Sequence, residues 1–92
     1  MTLTVLPVRL GNVDDTDGVL VYRGEVLVAV MSQLSAEHGE REGRWFLEIG
    51  FGASSEPGAD FQTLDAAKVW IESRLDEQDR RVAEAIARRG PG

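Results

Sequence analysis

The sequence predicts an α+β fold: an antiparallel β-meander of three to four strands, about residues 2–10, 18–23, 25–34 and 44–52, packed on one long C-terminal helix over about residues 63–89. Three observations carry this. Residues 45–52 (Trp-Phe-Leu-Glu-Ile-Gly-Phe-Gly) alternate with the period of a strand, which puts Trp45, Leu47, Ile49 and Phe51 on one face and Phe46, Glu48 and Gly50 on the other. Residues 63–75 carry apolar side chains at helical spacing, so Ala67, Trp70, Ile71 and Leu75 form one stripe. Residues 19–34 are rich in Val, Leu and Met around a glycine, the pattern of a hairpin.

The elements follow in order. Residues 2–10 are β-prone, and Pro7, which has no N–H to give a ladder, makes this an edge strand. Residues 11–18 form a turn-rich connector with Asp14, Asp15 and Asp17. The hairpin is expected to turn at Arg23-Gly24, with Gly supplying a positive φ. Pairing Tyr22 with Glu25 then groups Val19, Val21, Val26, Val28 and Val30 on one face, and Leu20, Leu27, Ala29 and Met31 on the other. Both faces come out apolar, unlike a half-solvated antiparallel sheet, and one helix covers only one of them. Residues 35–43 and 53–60 read as loops. Thr63 suits a helix N-cap, Asp65 suits the first turn, and Gly90-Pro91 suits the stop. Trp70 is expected to pack on Trp45, Leu47 and Ile49.

The helix spans about 39 Å at its usual rise, whereas an eight-residue strand spans about 27 Å. It therefore either overshoots its sheet or breaks near Asp76–Asp79. Its second half keeps an apolar stripe, Val82, Ala85 and Ile86, and the favourable pairs Asp76/Arg80, Glu77/Arg81 and Glu84/Arg88.

The chain reads as one domain over residues 1–92, frayed at 90–92. There is no cysteine, which excludes disulfides and thiolate metal sites. No window approaches the roughly 18 apolar residues of a membrane span, and the N-terminus lacks the basic region of a secretory signal, so a cytoplasmic, membrane-free protein is expected. Nine of the ten basic residues are Arg, the usage of a GC-rich bacterial genome. Residues 1–62 hold four basic against ten acidic side chains, and residues 63–92 six of each. An acidic sheet argues against nucleic acid, whose binders present cations to phosphates.

No residue pattern assigns a catalytic, cofactor or metal site. Asp14, Asp15, Asp17 and Gly18 resemble part of a calcium loop, but aligning Gly18 with the loop glycine puts Val13 and Gly24 where carboxylates belong. Turn-forming aspartates account for them. His38, the single histidine, lies in Glu-His-Gly-Glu rather than a His-Glu-x-x-His motif. Beside Glu37 or Glu40 it has the chemistry of a general base, yet a lone loop histidine is ordinarily solvated. Gly50-Phe-Gly52 ends a strand without the third glycine or following helix of a dinucleotide fingerprint. The serines stand in no nucleophile elbow. Arg74, Arg81 and Arg88 recur every seven residues, but Glu77 and Glu84 between them make a salt-bridged face.

The order strand-strand-strand-helix with a Trp-bearing third strand resembles, in outline, the AP2-like domains of plant regulators and the arm-binding domains of phage integrases. That resemblance implies DNA reading by basic and aromatic residues on the exposed sheet face, which in this chain carries Phe46, Glu48, Leu20 and Leu27. The Asp-Asp-Thr-Asp-Gly run followed by strands and a helix is similar to MbtH-like partners of adenylation enzymes, whose Ser-x-Trp-Pro and Pro-x-Gly-Trp elements are absent. Both are likenesses of fold alone.

The functional expectation is a non-catalytic interaction or regulatory module, without cofactor, that pairs with itself as a homodimer or with another protein. The expected interface is Leu20, Leu27, Met31, Phe46, Val82, Ala85 and Ile86. The alternatives are a nucleic-acid-associated domain and a small-ligand domain using the second sheet face. In a further alternative the N-terminal strand covers that face with Val5, Leu6, Val8 and Leu10.

Overall fold

A computed structural model of the chain describes residues 3–11 and 16–89. Five antiparallel strands stand side by side in chain order: β1 Thr4–Arg9, β2 Asp17–Arg23, β3 Val26–Gln33, β4 Trp45–Gly50 and β5 Asp60–Phe61. One helix, α1 Leu64–Arg89, follows and packs on one face. This is the expected α+β meander with a fifth strand, β5, from a segment read as loop. β5 is two residues long, too short for any periodicity to show. No helix among the described residues is long and apolar enough to cross a membrane.

The hairpin turns one residue later than expected. Arg23 pairs with Val26, so Gly24 and Glu25 are the turn. Gly24 has φ 64° and Glu25 a negative φ, the signature of a type II′ turn. A bulge follows: Tyr22 pairs with Leu27 and Val21 with Ala29, leaving Val28 as the extra residue. The later turn keeps the expected facing, and the bulge alone reverses that of β3 beyond it. Ala29 and Met31 now lie with Val21 and Val19 under the helix, and Val30 lies with Leu20 and Leu27 on the other face. A second bulge leaves Glu48 unpaired between the Met31–Leu47 and Val30–Ile49 pairs. Ile49 is thereby moved off the face of Trp45 and Leu47, contrary to the simple alternation.

The core is the sheet side Leu3, Val19, Val21, Val28, Ala29, Met31 and Leu47 against Ala67, Ile71 and Leu75 of α1. Ile71 rather than Trp70 holds its centre, with no exposed surface. Trp70 flanks the core, its ring 5.4 Å from that of Phe61 and tilted by 49°, with the Arg74 guanidinium 4.9 Å from its ring centre. It does not pack on Ile49, which faces the opposite way. The Thr63 hydroxyl accepts the Ala66 N–H at 3.0 Å, closing the helix start as its N-cap.

α1 is continuous through Asp76–Asp79. At Gln78 it still touches the sheet body, its Oε1 accepting the Ala53 N–H at 3.2 Å, and Asp79 meets Arg23 at 2.9 Å beside the hairpin turn. Every residue from Arg80 to Arg89 is exposed. That ten-residue tail projects about 15 Å beyond the sheet, in a chain whose longest dimension is 56 Å.

Candidate interaction surface

The sheet face away from α1 is built by cross-strand register. One row runs Leu6–Leu20–Val30–Ile49 through β1, β2, β3 and β4. Leu6 and Ile49, at its ends, are each 51% exposed. The next row toward the hairpin is Thr4–Tyr22–Leu27; the next the other way is Val8–Gly18–Ser32–Phe46–Asp60. Side chains directly opposite on neighbouring strands touch, so the central row is a continuous apolar band. No described helix lies over it. β1 pairs along the sheet edge rather than folding back across this face, and of the residues that the N-terminal alternative names Leu10 reaches over the neighbouring strand, at Gly18. Val5 points toward the helix side and Leu6 and Val8 to the open side.

Of the expected interface residues, Leu20, Leu27 and Phe46 do lie on this face. Met31 does not: it is fully enclosed under α1, because the bulge at Val28 reverses its facing. Leu6, Val30 and Ile49, which join the face, are set by the same two bulges and by the β1 register.

Polar groups mark the margins. The Ser32 hydroxyl donates to Glu48 Oε1 at 3.2 Å, holding the bulged carboxylate against the sheet. Asp60, beside Phe46, accepts Arg41 Nε and Nη2 at 3.0 and 2.8 Å and Arg44 Nε at 3.1 Å, all on Oδ2. Hydrogen bonds from Arg44 and then Arg41 hold its carboxyl below the ordinary aspartate pKa. Both arginines are therefore committed at one rim of the open face.

The helix tail supplies a second surface. Val82 is 51% and Ile86 62% exposed, and Ala85 is exposed between them. Val82 and Ile86 stand eleven residues beyond the buried Ile71 and Leu75, three helical turns on, and Ala85 eighteen beyond Ala67, five turns on. The tail stripe is thus the core stripe continued past the end of the sheet. Between tail and sheet, Arg74 Nε donates to the Ala53 carbonyl at 3.0 Å and reaches Glu56 at 3.6 Å. Arg81 pairs with Glu77 at 2.7 Å, and Arg80 turns to Glu77 at 3.9 Å rather than to Asp76. The sevenfold arginines are therefore not one free ridge: Arg74 and Arg81 each have an acidic partner.

The other sequence candidates do not converge. Asp14 and Asp15 lie outside the described residues, and Asp17 pairs with Arg9 at 3.5 Å. His38 sits in a short 3-10 segment, Ala36–Arg41, its N–H bonded to the Ser35 carbonyl. Gly50 is required by packing, since a side chain there would run into the Ser54 carbonyl. Among the described residues no group of three or more His, Asp or Glu is placed to hold a metal ion. An apolar depression lies on the helix side, between β1 and the start of α1, lined by Val5, Pro7, Val19, Trp45 and Leu64. It is not on the second sheet face, where the ligand-binding alternative would need it.

Comparison with protein-family models, curated proteins and solved structures finds no match for this chain.

Proposed function

We propose that this chain is a non-catalytic interaction module that assembles with a second copy of itself. The observation that carries the reading is the Leu6–Leu20–Val30–Ile49 band, an apolar row across four strands with no described helix over it. Monomeric proteins rarely leave contiguous apolar patches above a few hundred Å² in water. A two-fold pairing brings identical surfaces of two copies into play at once. Nucleic acid is the less favoured occupant: the open face carries Glu48 and Asp60, and the arginines at its rim already serve Asp60.

Leu6 and Ile49 are half exposed in the single chain, so charging them spares the core. Thermal unfolding of the native chain should shift upward as protein concentration rises, because association stabilises the folded state by mass action. The Leu6→Asp, Ile49→Asp double variant should fold and melt at a concentration-independent temperature. A variant that keeps the full concentration dependence would contradict this use of the sheet face.

A further inference from the structure

The two unpartnered surfaces of the chain, open sheet face and helix tail, match each other better than either matches itself. We infer that in the assembled protein the tail of one copy lies across the open sheet face of the other, reciprocally about a two-fold axis. This rests on the self-association reading and specifies its geometry.

Charge points to it first. Residues 80–89 carry four Arg and one Glu, a net of +3, while the rest of the chain carries six basic against fifteen acidic side chains, a net of −9. Arg80 and Arg81 turn to Glu77 of their own helix, so Arg88 and Arg89 are the cations that the tail of one copy brings to the acidic body of another. Like-on-like pairings lack this complementarity. Antiparallel tails would set Arg80 and Arg81 beside the partner's Arg88 and Arg89. Two open faces laid together would set two surfaces that each carry Glu48 and Asp60 against one another and leave both tails in water. Juxtaposed like charges count against a pairing.

Length is the second observation. The row from Leu6 on β1 to Ile49 on β4 crosses three strand spacings, about 14 Å. The tail is about 15 Å long. It therefore spans the apolar band, with Val82, Ala85 and Ile86 available to sit on it and its arginines within reach of the acidic margin at Glu48. The tail's own sheet cannot take this role, because α1 is continuous and runs off the opposite face.

The chain contains no cysteine, which makes the geometry directly testable. Ile86→Cys and Ile49→Cys each place a thiol at an exposed position. The two variants, one enlarged by a tag, are mixed, allowed to exchange and treated with a short bis-maleimide. Tail-on-face docking links only the mixed dimer, since within either variant's own dimer each thiol faces an unsubstituted position. Self-linking of either variant in preference to the mixture overturns tail-on-face docking and leaves self-association standing. So does the absence of any link in a chain whose native mass is that of a dimer. A native mass that stays monomeric removes the self-association reading, and this inference with it.

Discussion

Met31 decides how β3 is read. With no solvent exposure it belongs to the sheet–helix core, so Met31→Ala should destabilise the fold by about 2–5 kcal/mol in denaturant melts. A loss below about 1 kcal/mol, with association weakened instead, would put it back at an interface. Its misplacement has a definite physical source. Period-two counting from Val19 carries a parity, and the bulge at Val28, which reverses it, leaves no mark in residue type. Phe46, Leu20 and Leu27 were legible because their facing survives the bulges. Asp60 makes a second prediction at this scale. Its carboxyl is held below the ordinary aspartate value by Arg44 and Arg41, so the folded state binds its proton less readily than the unfolded chain does. The stabilisation is then complete above the ordinary aspartate pKa and lost as pH falls through the lowered folded-state value. Melting temperatures taken from about pH 5 downward should fall less steeply in Asp60→Asn than in the native chain. Identical slopes would show that the pair with Arg41 and Arg44 carries no pH-dependent stability.

Helix α1 was the most legible element. Thr63 caps it, the Ala67–Ile71–Leu75 stripe faces the core, and the tail stripe Val82–Ala85–Ile86 follows from the same spacing. What spacing does not settle is where the sheet ends beneath the helix. That depends on the hairpin turn, because Asp79 meets Arg23 beside it. The turn itself rests on Gly24 at φ 64°, where an added methyl group meets nothing within 4 Å. The cost of Gly24→Ala is therefore backbone strain, about 1–3 kcal/mol for a residue held in a sparsely populated region, readable as a lower midpoint in urea with an unchanged slope. No loss would mean that the turn adopts a negative φ at this position. β5, two residues long, has no sequence signal of its own. It exists because Asp60 and Phe61 reach Phe46 and Trp45 across the ladder.

For the whole molecule, the acidic excess of residues 1–62 was legible without any structure, while the positive charge of residues 80–89 stands out only once the structure shows where the sheet ends. In the proposed assembly the acidic body and basic tail would make association salt-sensitive: a contact between exposed charges is screened as the Debye length shortens from about 10 Å at 0.1 M to about 3 Å at 1 M salt. The apolar band is not screened, so salt should weaken the assembly without abolishing it. The proposed function was not legible in the sequence as a motif, because the features put forward for it are a sheet face and a helix end, assembled from residues whose register is set by two bulges. Sedimentation equilibrium of the native chain, over roughly 1–100 µM, tests the central claim most directly. The account predicts a mass twice the 10.1 kDa of the chain, and a return to the single-chain mass in Leu6→Asp, Ile49→Asp. A native chain that sediments as a monomer across that whole range would contradict it.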